Sequence, residues 1–286
     1  MLIKTIFLSL AVIPFLAAWA SGDNQPKNAK AKAPDGVEIA YSAAGQGEPS
    51  LLFIHGGFAD RTFWSNQMTA FAAHHRVVAV DLAGHGDSGR NRKVWGIVPF
   101  AEDVRAVAEK ENLRRLVILG NSLGGPVAVE AARLMPDRVV AVVPVDTLQS
   151  LTQEMPTSWA HDRAKAFRDD FPGTMKQMVR ALFHPDADPA LLKQTEERML
   201  HNTPPETAAA IMESLGGYDM VPSVKQLRVP IRCINGDLFP TSIEANRKIY
   251  ADFDAVVLKH MGHYPMLENP VLFNQALEQI LQEVVK

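Results

Sequence analysis

Gly120-Asn121-Ser122-Leu123-Gly124 is the stretch of this sequence best suited to chemistry. A serine hydroxyl is a weak nucleophile until a base takes its proton and a third group orients that base. The glycines around Ser122 suit a sharp strand-to-helix turn, because a residue without a Cβ tolerates a strained backbone and leaves the hydroxyl exposed. The apolar run Leu116-Val117-Ile118-Leu119 leads into the turn. A helix-compatible segment follows, with Pro126 near its first turn, where proline fits. A helix N-terminus there favours negative charge growing on a substrate oxygen. Of the nine histidines, His263 is the first candidate for the base. It closes Lys259-His260-Met261-Gly262-His263 after the apolar run from Ala255 to Leu258, and Gly262 lets the turn present the imidazole. His260 is the second choice.

These residues need a frame. Five short apolar runs end in turns: Leu51–Ile54 into His55-Gly56-Gly57, Val77–Val80 into Asp81, Leu116–Leu119 into Gly120, Val139–Val145 into Asp146, and Val229–Ile234 into Asn235-Gly236-Asp237. Continuous rather than alternating apolar runs are expected of strands buried on both faces. Helix-compatible segments lie between them, including 100–112 and 126–135, so an α/β fold with a mostly parallel sheet is predicted. Function in such sheets gathers at the C-terminal strand ends, where all these turns fall. Residues 147–226 break the alternation. They hold four helical stretches, expected over 159–170, 173–183, 189–201 and 205–215, and read as a helical lid inserted into a core of 34–146 and 227–286.

Together these residues resemble the α/β-hydrolase family. The likeness covers roughly 35–146 and 227–286. It rests on His55-Gly56-Gly57, on Asp81-Leu82-Ala83-Gly84-His85-Gly86-Asp87-Ser88, on Gly120-Asn121-Ser122-Leu123-Gly124-Gly125, and on Gly262-His263 followed by Glu268-Asn269-Pro270. The resemblance implies Ser122 as nucleophile and His263 as base. It implies an oxyanion hole from the backbone N–H groups of Leu123 and Gly57, with Phe58 as the alternative second donor. Trp64 matches an aromatic that packs near the substrate pocket, and His55, His85 and Asp81 match loop-shaping positions.

The acid departs from the family pattern. The usual place, three residues past the glycine that ends the strand before the histidine strand, holds Phe239; Asp237 comes two residues early. Some relatives place the acid one strand sooner, where Asp146 ends the run Val139–Val145. A carboxylate closing a buried apolar strand needs a partner, and an imidazole is one. Asp146 is therefore ranked ahead of Asp237. A serine nucleophile rules against the dehalogenase and epoxide-hydrolase chemistries of this fold, which use aspartate. The expected course is acyl transfer to water, with an ester or lactone of a small to medium apolar substrate first among the candidates. C–C bond hydrolysis, perhydrolysis, peptide cleavage and a non-catalytic ligand-binding role are the alternatives. Asp169, Asp170, Glu196 and Glu197 in the lid would serve a peptidase that binds a substrate amine.

The remaining features bound the setting. The 286 residues are 47% hydrophobic and 21% charged with a net charge of −3, which fits a globular α/β domain and offers no footprint for nucleic acid. The single Cys233 excludes an internal disulfide and sits in an apolar run. No His/Asp/Glu cluster has metal-ligand spacing, so no metal or cofactor is expected, and the partner is a small-molecule substrate. Lys4, the apolar run from Ile6 to Ala18, and Ala18-Trp19-Ala20 predict a secretory signal peptide, residues 1–20, cut after Ala20. The run is short for a membrane span, so export to the periplasm or the outside, with no lasting span, is expected. Residues 21–33 read as a flexible lead-in. Oligomeric state has no signature in the sequence.

Overall fold

The computed structural model describes residues 24–285, so the signal-peptide reading lies outside the described residues. The chain runs β1 (Lys27–Lys32), β2 (Glu38–Ala44), β3 (Ser50–Ile54), a 3-10 turn (Arg61–Trp64), α1 (Ser65–Phe71), β4 (Val77–Val80), α2 (Ile97–Lys110), β5 (Leu116–Asn121), α3 (Gly124–Leu134) and β6 (Val139–Val145). The insertion follows as α4 (Thr157–Asp169), α5 (Phe171–Leu182), α6 (Pro189–Asn202), α7 (Pro205–Ser214) and α8 (Val221–Val224). The core resumes with β7 (Ile231–Gly236), α9 (Ile243–Ile249), β8 (Phe253–Leu258), α10 (Pro265–Glu268) and α11 (Pro270–Val284).

The strands form one sheet in the order β1-β2-β4-β3-β5-β6-β7-β8. From β4 to β8 every pairing is parallel, while β1 and β2 add on antiparallel at one edge. Every residue of β3, β4 and β5 is buried, as continuous apolar runs demand when helices cover both faces. No helix among the described residues is long and apolar enough to cross a membrane.

Two readings of the sequence need correction. Part of the expected flexible lead-in is a strand: Lys27–Lys32 pairs antiparallel with β2 from Lys27 against Ala43 to Lys32 against Glu38. A polar, lysine-rich segment such as KNAKAK carries no apolar run, yet an edge strand needs only backbone partners on one side, and lysine is well suited to an edge. Ala31 alone of this strand is fully packed. Trp64, expected near the pocket, is instead fully buried under the sheet, 5.1 Å from Phe53 and 6.0 Å from Phe273 between ring centroids. A large indole at that position fills core volume rather than facing a ligand.

Side chains on two flanks help pin the insertion to the core. Tyr218 and Ser223 both donate to Glu130 Oε1 on α3, at 2.8 and 2.5 Å. On the other flank Arg198 lies 4.2 Å over the Phe63 ring and bonds Thr62 Oγ1, while Asn202 Nδ2 donates to Asp60 at 2.6 Å. Within the insertion α4 packs on α7 and α5 on α6. Asp170 and Asp188 cap α5 and α6 by accepting from Gly173 N and Ala190 N.

Candidate active site

Ser122 follows the last residue of β5, the strand between β3 and β6 in the middle of the sheet. Its φ is +52°, a left-handed conformation that a non-glycine residue holds only when its surroundings enforce it. The enforcement is visible. Ser122 N donates to Val145 O at 3.1 Å and Gly125 N donates to Ser122 O at 2.9 Å. A Cβ at Gly120 would come within 1.9 Å of Gly124 O, and one at Gly124 within 2.7 Å of Ile54 O. Those two glycines are therefore required by close backbone approach, and the turn cannot form with larger residues there.

Asp146 follows β6 directly and also has a positive φ, +44°. Its N–H donates to Ile234 O on β7 at 3.0 Å, and its Oδ1 accepts Gly236 N at 2.9 Å. The carboxylate thus lies across the end of β7 toward the turn after β8. There His263 Nδ1 is 2.5 Å from Asp146 Oδ2, with the Asp146 side chain fully buried and that of His263 nearly so. The bond fixes a proton on Nδ1, so the neutral ring keeps a lone pair on Nε2.

Asp237 lies elsewhere. Its Oδ1 accepts Met261 N at 3.2 Å and its Oδ2 is 3.8 Å from Lys259 Nζ, so it braces the turn carrying His263 without reaching the ring. Phe239, at the family's usual acid position, stands half exposed with its ring perpendicular to His263 at 6.4 Å. His260 is exposed and pairs with Asp186 at 3.6 Å, away from Ser122.

Ser122 and His263 line one cavity of about 860 Å³ between sheet and insertion, together with Gly57, Phe58 and Leu123. The N–H groups of those last three residues donate no hydrogen bond within the described residues. Phe58 also has a positive φ, +64°, and its ring meets Phe167 of α4 edge-on. From the insertion Trp159, Met178, Leu182 and Met212 enter the cavity wall, whereas Phe167, Phe171, Met175, Phe183 and Met199 pack inward. The acidic residues considered for binding an amine are all engaged outside it. Asp169 pairs with Lys165, Asp170 caps α5, Glu196 pairs with Arg180 at 2.8 Å and Glu197 with Lys193 at 3.9 Å.

Two residues that shape the site fall within the sequence motifs but were given no role there. Asn121 Nδ2 donates to Val145 O at 3.0 Å and to His263 O at 2.9 Å, tying three strand ends together. Glu268 accepts from Gly262 N and Tyr264 N at 3.0 and 3.1 Å, on both sides of His263. Burial raises the Glu268 pKa above the ordinary carboxylate value, against the lowering effect of those bonds. A polar residue closing a buried strand was the available clue for Asn121; for Glu268 nothing in its spacing pointed to the turn it holds.

His55, His85 and Asp81 build the neighbouring loops. His55 Nδ1 donates to Gly56 O at 2.7 Å and its Nε2 accepts Leu82 N at 3.0 Å, which joins the turns after β3 and β4. His85 Nδ1 donates to Ala83 O at 3.0 Å. Asp81 gathers Arg61 N at 2.7 Å, the Arg61 guanidinium and Asp87 N at 2.9 Å.

An eight-stranded, mostly parallel sheet with a strained serine turn after a central strand and a helical insertion after the next defines the α/β-hydrolase class. The chain matches the alpha/beta hydrolase family over residues 51–276 and belongs to it. It is 25% identical over 258 residues to a pimeloyl-[acyl-carrier protein] methyl ester esterase of Nitrosospira multiformis, spanning 83% of this chain and 95% of that protein. Among solved structures it is similar to a putative aryl esterase from Burkholderia cenocepacia (TM-score 0.76, 24% identity, 91% of this chain and 99% of that one). It is likewise similar to a thermophilic esterase from Thermogutta terrifontis (TM-score 0.77, 24% identity, 90% of this chain and 99% of that one). Family membership and the esterase relative support a hydrolase.

Proposed function

We propose that the protein is a serine hydrolase that cleaves esters or lactones of small to medium apolar substrates through an acyl-enzyme. The observation that carries this reading is the 2.5 Å bond from buried Asp146 to His263, which lines one cavity with Ser122 on its strained turn. His263 Nε2 takes the Ser122 proton as Oγ attacks the carbonyl carbon. The oxygen becomes an oxyanion facing the Leu123 N–H and the Gly57 or Phe58 N–H, where preorganised donors stabilise it. The imidazolium, held by the Asp146 carboxylate, returns its proton to the leaving alkoxide as the C–O bond breaks. Water then enters, loses a proton to His263, attacks the acyl carbon and releases the acid and Ser122.

The apolar wall and the esterase relatives support the substrate class. Asp169, Asp170, Glu196 and Glu197 are engaged outside the cavity, which leaves Glu154 on its wall as the acidic side chain a peptidase would have to use for an amine. A fluorophosphonate probe tests the catalytic reading. Wild-type protein should be labelled and Ser122→Ala should not; equal labelling of both, or of neither, would overturn it and favour a ligand-binding protein. A series of p-nitrophenyl esters of rising acyl length then locates the preferred substrate.

Export belongs to the same proposal. The predicted signal segment supports release of a chain beginning at Ser21. N-terminal sequencing of the product recovered outside the cytoplasm checks this, and a product starting at Met1 sinks it.

A further inference from the structure

A second constellation lies outside the cavity that holds Ser122. His184 and Asp186 belong to the connection between α5 and α6, and His260 to the turn after β8. His184 and Asp186 stand two residues apart but His260 is distant in sequence, so no ligand-spacing motif joins the three, yet their ligand atoms all lie within 4.8 Å of one another. His184 Nδ1 is 3.5 Å from Asp186 Oδ2, and His260 Nδ1 is 3.6 Å from the same oxygen. Donors bound to one tetrahedral zinc at roughly 2.0–2.2 Å stand about 3.3 Å apart, close to the two separations from Asp186, so closing on an ion needs mainly an approach of the two rings. Asp186 N donates to His184 Nδ1 at 3.2 Å, so that nitrogen is unprotonated, and an ion ligated there would displace this hydrogen bond. The two rings meet nearly perpendicular, 5.6 Å apart, and among the described residues Asp186 is the one acidic side chain paired to either.

We propose that His184, Asp186 and His260 form a binding site for a divalent first-row transition ion of the zinc class, with water filling its open positions. Two imidazoles and one carboxylate suit such an ion; magnesium and calcium prefer oxygen sets. Asp186 and His260 are exposed, so the ion has a direct path from solvent.

The site has a structural consequence. His263 N donates to Leu182 O at 2.7 Å, and a Cβ at Gly262 would lie 2.5 Å from His184 N. The end of α5 therefore rests directly on the turn that carries His263, and His260 is three residues before it. An ion held by residues from both segments staples the insertion to that turn and stabilises the folded chain by mass action.

The test uses the untagged full chain, stripped with chelator and titrated with zinc chloride. Calorimetry should show one site, and thermal unfolding at a hundredfold excess over Kd should move Tm up by on the order of 5 °C. His184→Gln and His260→Gln should each weaken binding at least tenfold and remove the Tm shift, while magnesium chloride should have no effect on wild type. Because His260 is exposed, its variant keeps the fold testable if His184→Gln does not fold. Absence of zinc binding, binding unchanged in His260→Gln, or binding without a rise in Tm each overturns the proposal.

Discussion

Two aspartates compete by sequence for the role of orienting the base, and their contacts separate them. Asp146 places one oxygen on His263 Nδ1 and the other on Gly236 N, inside a fully buried pocket. Asp237 holds only the backbone of the turn and a loose contact to Lys259. Losing an orienting carboxylate leaves the imidazole free to adopt the wrong tautomer, which in other triads costs about 10⁴ in turnover. We expect Asp146→Asn to lower kcat by on the order of 10³–10⁴ with KM little changed, and Asp237→Asn to lower it by less than about tenfold. Steady-state kinetics on a p-nitrophenyl ester check this, with circular dichroism to show that both variants fold. The reverse ranking would return the role to Asp237. Sequence could not decide between them, because the choice depends on β6, β7 and β8 lying side by side, so that a residue after β6 reaches across β7 to the turn after β8.

At the scale of elements, the central strands were legible because burial on both faces leaves no polar alternation to blur them. The serine turn was legible for a related reason: Gly120 and Gly124 are fixed by backbone contacts, so the motif records geometry directly. β1 was not legible, since an edge strand is held by backbone bonds that leave no mark in side-chain type. Trp64 was misplaced because the large side chain that lines a pocket and the one that fills a core are the same in sequence. The insertion was visible as a break in the alternation, but which of its apolar residues face the cavity required the packing of α4 on α7 and α5 on α6. Trp159 on α4 is one that does, half exposed at the cavity wall with Arg163 5.2 Å over its ring. On the proposed function its contribution is to substrate contact. Trp159→Ala should raise KM up to roughly tenfold for long-chain esters, the equivalent of about 1.4 kcal/mol, and leave kcat and short-chain esters almost unchanged. An acyl-chain series on the variant checks it, and equal effects on short and long chains would place Trp159 outside the binding path.

The whole molecule carries its ionisable groups unevenly, and two buried histidines link its stability to pH. Burial lowers the pKa of His55 and pushes that of His85 down to about 3, so both rings stay neutral in the folded chain. Their hydrogen bonds agree with that state, since each ring donates from Nδ1 to a backbone carbonyl, and His55 Nε2 accepts an N–H that an imidazolium could not accept. In the unfolded chain both titrate near 6.5. As pH falls below that value the unfolded state takes up protons the folded state refuses, and stability drops. The window for His85 runs from about pH 6.5 down to about pH 3. Asp103 acts with the opposite sign, because burial raises its pKa to about 6 and the folded state binds its proton first. Total acid sensitivity is therefore a poor measure of either group, and the informative quantity is the difference between wild type and a variant lacking one of them. His85 sits among the rings of His55, Phe58 and Phe100, a setting that phenylalanine can fill. In urea unfolding, the gap in stability between wild type and His85→Phe should shift in the variant's favour by about 2 kcal/mol between pH 7.5 and pH 5, at roughly 1.4 kcal/mol for each pH unit below 6.5. A gap that stays constant across that range would mean that His85 takes up its proton without unfolding, and that the loops around the site open in mild acid.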